Sequence, residues 1–271
     1  MKTLLRNLVT VVLAAMVTIA CQTVQTTAGG AVGVDRAQMM MVSAQEVEQA
    51  SRQQYQQMVA EAHGKNALDR DAAQVRRVRD IVARLTAQVG AFRPDAMRWP
   101  WEVHVFSSNE LNAWCMAGGK MAIYTGLIGR LNLSDDEIAA VMGHEIAHAL
   151  REHAREKVSK SMATGIGVSV AGALLGVGSV GQDLMGAVAK VSFELPNSRE
   201  YEMEADRMGV ELAARAGYDP RAAVTLWNKM ASASNGGPPQ WLSTHPSHAT
   251  RQRELIEYSA RVMPLYERAR R

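Results

Sequence analysis

The sequence predicts an α+β domain, mainly helical, with one small β-sheet and a helix that carries a His-Glu-x-x-His motif. Three observations predict it. Apolar residues recur at helical spacing in Val75, Val78, Ile81, Val82, Leu85 and Val89. Between residues 101 and 125 the pattern changes to alternation, with Trp101, Val103 and Val105 set against Glu102 and His104. Ser134-Asp135-Asp136-Glu137 then forms a capping box ahead of a long helical stretch that holds His144 and His148.

The elements follow in order. Residues 1–20 have the shape of a secretory signal: Lys2 and Arg6 are basic, and residues 8–19 are an apolar run too short for a comfortable span. Val17-Thr18-Ile19-Ala20-Cys21 resembles a bacterial lipobox, with Thr18 where Leu is usual. Cys21 is then the expected lipidation site, and several acyl chains on one residue anchor stably. Gln22, rather than Asp, after the cysteine favours sorting to the outer membrane. Residues 21–42 are rich in Thr, Gln, Gly, Ala and Met and read as a tether. With Cys21 acylated, only Cys115 remains of two cysteines, so no intramolecular disulfide is expected.

Residues 43–271 are expected to form one domain. Ser43-Ala44-Gln45-Glu46 opens a helix that Gly64 stops, and a second helix runs from Asp71 to Val89. Strands follow in Trp101 and onward, in Asn112 to Met116, and in Met121 to Thr125, the last two joined by Ala117-Gly118-Gly119-Lys120 as a hairpin. The capping box at Ser134 opens a helix reaching Lys160. Ser198 caps a helix that Gly217 stops, Asp219-Pro220 starts another, 235–239 is a loop, and Ser247 caps the last helix. The formal net charge is +3, and +1 once Lys2 and Arg6 are removed, with no basic block. Nucleic acid is not an expected partner.

Four-residue spacing on a helix puts His144 and His148 on one face, able to share a zinc ion at about 2.0–2.1 Å. Glu145 beside them can act as general base toward a water whose pKa zinc lowers to about 7. A catalytic zinc needs a third protein ligand. Glu202 is a candidate, with Asp206 one turn on to accept the free ring N–H of a ligand histidine. Spacing alone does not separate Glu202 from Glu200 or Glu204.

Several motifs together carry a resemblance. They are Asn112-Ala113 with Gly118-Gly119, Thr125-Gly126-Leu127, His144-Glu145-Ile146-Ala147-His148, Ser198-Arg199 with Glu202-Met203-Glu204-Ala205-Asp206, and Thr244-His245-Pro246. Over residues 101–251 the chain resembles the HtpX and CAAX-prenyl-protease family of gluzincin metallopeptidases, especially periplasmic, lipoprotein-like members such as BepA and LoiP. It departs from many members at Ala117, where they carry Pro, and at Trp114-Cys115. The resemblance implies a zincin-like catalytic domain holding one Zn2+ per chain. It makes Glu202 the third ligand and Asp206 its support. It gives His245 either an oxyanion-stabilising role or that of a plug on the open metal position. Arg251 is expected to pair with an acidic group and orient the last helix. His153 is expected on the face opposite the motif, as a structural residue; His63, His104 and His248 have no partner visible in sequence. The strand Met121, Ala122, Ile123, Tyr124 resembles the family's edge strand, onto which a peptide could add by main-chain pairing. Residues 165–181 are uncharged and Gly-rich and read as a soluble helical lid. The implied function is a zinc metalloendopeptidase acting on unfolded or misassembled cell-envelope proteins, lipid-anchored in a bacterial periplasm. The competing reading is a zinc-containing lipoprotein that serves outer-membrane assembly machinery as chaperone or adaptor, with a latent site.

Overall fold

Helices take most of the chain in this computed structural model, which describes residues 22–163, 180–233, 240–246 and 250–271. The strands are β1 (Gln22–Val24), β2 (Gln38–Met40), β3 (Glu102–Phe106), β4 (Ala113–Met116) and β5 (Lys120–Tyr124). The helices are α1 (Ala44–Gly64), α2 (Ala72–Thr86), α3 (Thr125–Arg130), α4 (Asp135–Leu150), α5 (His153–Ala163), α6 (Val180–Phe193), α7 (Arg199–Arg215), α8 (Ala222–Ser232), α9 (Gln240–Thr244) and α10 (Arg251–Ala269). No helix among the described residues is long and apolar enough to cross a membrane. The signal segment, Cys21, the Gly-rich run 165–181, the loop 235–239 and Ser247 lie outside the described residues.

The expected α+β, zincin-like architecture holds. The three-stranded sheet has the order β3-β5-β4, with β5 parallel to β3 and antiparallel to β4. Strand alternation divides its side chains between two packed faces. Val103, Val105, Ala113, Met121 and Ile123 join the main core with α2 and α4. Phe106, Trp114, Met116 and Ala122 face Tyr55 of α1. Both capping boxes form, at Ser43 and at Ser134. Ser198 caps α7, and Gly217 beyond its end takes φ 76°, where a side chain would be strained.

Helix α4 is buried from Glu137 to Leu150. It crosses α7 at a pair of glycines. A Cβ on Gly143 would lie 2.9 Å from Gly209 O, and one on Gly209 would lie 2.8 Å from His144 N. This backbone-to-backbone approach brings α7 close enough for its carboxylates to reach the histidines of α4.

Four expectations are corrected. First, the segment 22–42 is not a tether. It folds back as a strap, with β1 and β2 paired antiparallel and Val32, Val34, Met40 and Val42 buried. Its composition reads as linker because Thr, Gln and Gly interrupt its Val, Ala and Met residues, yet some of these reach two hydrophobic clusters. Second, the helix expected to reach Lys160 breaks between Leu150 and His153. Glu152 adopts φ 51°, and the turn drives the fully buried Arg151 toward α7. Third, Met121 to Tyr124 is not an edge strand. β5 is central, with its main-chain groups taken by β3 and β4. The outer side of β3 meets Leu68. The outer side of β4 carries no strand among the described residues. Fourth, α2 ends at Thr86, and Val89 reaches the core from a short 3-10 turn, Val89–Ala91. Helix α8 likewise starts only after Asp219-Pro220, where the Asp219 carboxylate accepts the Arg221 N–H at 2.9 Å.

Candidate metal centre

The one-turn offset on α4 sets the Nε2 atoms of His144 and His148 3.0 Å apart. From α7, Glu202 brings Oε2 to 3.6 Å from His144 Nε2 and Oε1 to 3.4 Å from His148 Nε2. His245, just past α9, completes a buried group of four whose donor atoms lie within 4.8 Å of one another. The alternatives left open in sequence are now separated. Glu202 is fully buried at the histidines, Glu200 is about half exposed, and Glu204 is turned toward Arg36, Arg151 and His153.

The second nitrogens decide what the first can do. His144 Nδ1 lies 2.9 Å from Asp206 Oδ1, a carboxylate that can only accept. His144 therefore keeps its proton on Nδ1 and presents a bare lone pair at Nε2. His148 Nδ1 lies 2.7 Å from His153 Nδ1, which is the acceptor available to it. Both Nε2 lone pairs then converge with the Glu202 carboxylate on one point, with no proton donor placed between them. Such an electron-rich hole suits a divalent cation of borderline softness, and the donor set fits zinc.

The charges agree. Burial alone would raise the Glu202 pKa, but His245, Arg251 and the ligand histidines hold it well below the carboxylate range. Burial pushes the His148 pKa well down and so keeps that ring neutral. Burial also opposes the charged form of His144, yet the Asp206 hydrogen bond and the Glu202 field outweigh it and raise its pKa.

Arg251 locks the carboxylates. It donates from Nη1 to Glu202 Oε2 at 2.6 Å and from Nη2 to Asp206 Oδ1 at 2.7 Å, with its guanidinium 3.5 Å from the centroid of the Trp227 ring. The expected pairing with an acidic group is thus a double one, directed at Glu202 and Asp206. Asn197 Nδ2 donates to Glu202 Oε1 at 2.8 Å, and Lys157 Nζ fixes the Asn197 carbonyl at 3.1 Å.

Glu145 stands in the same site. Its Oε1 accepts from Trp241 Nε1 at 2.7 Å and lies 3.5 Å from His245 Nε2. The Trp241 ring stacks on His245 with centroids 4.8 Å apart. His245 Nδ1 lies 3.1 Å from Trp241 O, which leaves its Nε2 free to face the cluster. A cleft of about 240 Å3 opens onto Glu145, His148 and His245 and is walled by Trp114, Cys115 and Phe193. β4, which has no strand on its outer side among the described residues, contributes to its wall.

Sequence reasoning missed Trp241, Asn197, His153 and Glu204. Trp241 carried a signal, since it stands four residues, about one helical turn, before His245. His153 was assigned to the opposite face because a continuous helix would put it there. The break after Leu150 turns it onto His148 instead.

These features define a zincin-like α+β domain with a buried His-His-Glu group able to hold a metal ion and a carboxylate, Glu145, beside it. The model of peptidase family M48 matches residues 72–259, and the chain belongs to that family. Among its relatives, the mitochondrial metalloendopeptidase OMA1 of Arabidopsis thaliana is 37% identical over 157 residues, covering 58% of this chain and 31% of that protein. The human mitochondrial metalloendopeptidase OMA1 is 28% identical over 240 residues, covering 84% of this chain and 44% of that protein. The metalloprotease LoiP of Escherichia coli is 28% identical over 178 residues, covering 65% of this chain and 69% of that protein. The chain spans between 31% and 46% of the length of the mitochondrial relatives from plant, cattle and fission yeast.

Proposed function

We propose that this chain is a zinc-dependent metalloendopeptidase. The observation that carries the reading is the convergence of donor atoms from His144, His148 and Glu202 on one buried point, with the Glu145 carboxylate in the same site. His144, His148 and Glu202 would hold a zinc ion, which when bound would supply Lewis acidity and bring the pKa of water to about 7. Glu145 takes the proton of the attacking water and passes it to the leaving amine. The unpaired side of β4 offers main-chain groups to an extended peptide alongside the cleft, a role that the central strand β5 cannot fill.

We infer a lipid anchor at Cys21, which would hold the domain that begins with β1 at Gln22 to a membrane surface. Misassembled or unfolded proteins of the bacterial envelope, met at that surface, are the substrates we infer. The names of LoiP and OMA1, a metalloprotease and a metalloendopeptidase, support the chemistry.

One observation favours a second state of the same site. His245 offers a fourth donor to the cluster, and Trp241 from α9 occupies Glu145. Together they would plug the site at rest, as expected of a latent enzyme or of a lipoprotein that serves chiefly as chaperone or adaptor. The test compares casein cleavage and zinc content of wild type, Glu145→Gln and His245→Ala. Glu145→Gln is expected to keep one zinc per chain and lose cleavage, whereas undiminished cleavage would refute the mechanism. A gain of activity in His245→Ala would identify the plug, and a loss would assign His245 to catalysis.

A further inference from the structure

We propose that His153 is the positioning residue for His148, and that the Glu204 carboxylate fixes the tautomer in which His153 can do this. The proposal rests on the metal-centre reading above and extends it to residues outside the set of metal ligands.

A histidine that gives one ring nitrogen to a metal must place the proton of the other on an acceptor. His144 has the carboxylate of Asp206 for this purpose. His148 has no carboxylate at its Nδ1. It meets His153 Nδ1 at 2.7 Å, another histidine nitrogen. Two imidazole nitrogens can share one hydrogen bond only if one is bare. His153 accepts from His148 only when its own proton is on Nε2. That atom lies 2.9 Å from Glu204 Oε2. Glu204 in turn is held as a carboxylate by two guanidiniums. Arg151 donates from Nε and Nη2 at 3.1 and 3.0 Å, and Arg36 donates from Nε and Nη2 at 2.9 and 3.2 Å. An ionised carboxylate cannot donate, so the direction of the whole series is set: Glu204 accepts from His153, and His153 accepts from His148.

Packing holds the relay in place. The His153 ring stacks on Tyr201 at 4.4 Å between centroids, with an interplanar angle of 16°. His153, Arg151 and Glu204 are all buried, so water does not compete for these bonds. Both ends of the relay lie on α7 or reach it: Glu202 faces the metal position, and Glu204 faces away toward the strap. Helix α7 thus supplies the third ligand from one side and orients His148 from the other.

The test uses the full chain. Zinc affinity is measured by competition with a chromogenic chelator, and the visible spectrum is recorded after substitution with cobalt. His153→Leu, which fills the space without an acceptor, is expected to weaken zinc about 10- to 100-fold and to shift the cobalt bands. His153→Asn places an amide oxygen near the position of Nδ1 and is expected to recover most of that loss. Zinc affinity within about twofold of wild type for His153→Leu, with an unchanged cobalt spectrum, would overturn the proposal. So would equal losses in the Leu and Asn variants. Should either variant fail to fold, long-range 1H–15N correlation spectra of the zinc-loaded wild type decide. An unprotonated Nδ1 on His153 and a protonated Nδ1 on His148 are expected, and a protonated His153 Nδ1 would overturn the proposal. Absence of zinc from the wild type would refute the metal centre itself, a result distinct from a wild type that binds zinc and a Leu variant that binds it equally well.

Discussion

Gly209→Ala should loosen the metal centre from a position that supplies no ligand atom. The added Cβ would lie 2.8 Å from His144 N, 3.0 Å from His144 Cα and 3.1 Å from Gly143 C. These are backbone atoms of a buried helix, and they cannot turn aside as a side chain would. The nearest contact falls about 0.6 Å short of the 3.4 Å at which ordinary contact begins, so α4 and α7 must move apart by roughly that distance. Overpacking of this kind costs about 1–3 kcal/mol. For a domain of this size that is on the order of 2–12 °C in Tm. The site should suffer separately. Moving Asp206 by the same distance would stretch its 2.9 Å contact with His144 to the edge of hydrogen bonding, and metal sites tolerate only about 0.2 Å of ligand displacement. Zinc affinity should therefore fall at least about tenfold. Thermal melts with and without chelator, together with zinc competition, check both effects. A variant with wild-type Tm and wild-type zinc affinity would refute the claim that the Gly143–Gly209 crossing sets the ligand geometry.

Three further outcomes are expected. Arg251→Met leaves Glu202 and Asp206 without their shared cation in a buried setting, so chemical denaturation should show a loss of about 3–5 kcal/mol; a loss under 1 kcal/mol would contradict the double ion pair. Zinc affinity should weaken as pH falls, because protons compete with the metal for His144 Nε2: burial opposes that ring's charged form, but Asp206 and Glu202 outweigh it and raise its pKa; a zinc dissociation constant that does not change with pH across the histidine range, measured by chelator competition, would contradict it. Burial alone would raise the Glu156 pKa, but hydrogen bonds from Arg36, Lys160 and Gln38 outweigh it and bring it from 4.5 to about 2. Its stabilising contribution is therefore present above pH 4.5 and lost as pH falls toward 2; Arg36→Gln should lower stability at pH 7 by about 1–3 kcal/mol and flatten that acid-side decline in urea titrations.

Much of the catalytic half of the chain was legible because its signals are local. Capping boxes at Ser43 and Ser134, the periodicity of Val75 to Leu85, and the stop at Gly217 depend on residues within a turn or two of each other. The His144–His148 pair needed only helical spacing. The third ligand was not readable that way: Glu200, Glu202 and Glu204 alternate on one helix, and the choice among them is made by Arg36, Arg251 and the α4 crossing, all distant in sequence. The helix break after Leu150 left no Pro or Gly to mark it. It follows from a tertiary demand, the burial of Arg151 and His153 against Glu204. The strap was misread for a similar reason. Thr, Gly and Gln recur through it as in a linker, but Arg36 and Gln38 satisfy carboxylates on α5 and α7 that need partners. Strand order was also beyond local reading, since the hairpin predicts that β4 pairs β5 but says nothing of β3 on the other side.

The central claim is that His144, His148 and Glu202 form one metal centre. X-ray diffraction from zinc-loaded crystals, with anomalous data across the zinc absorption edge, tests it most directly. The account predicts a single zinc per chain, bound by Nε2 of both histidines and by the Glu202 carboxylate. A fully occupied zinc elsewhere on the chain, or none after loading, would contradict it.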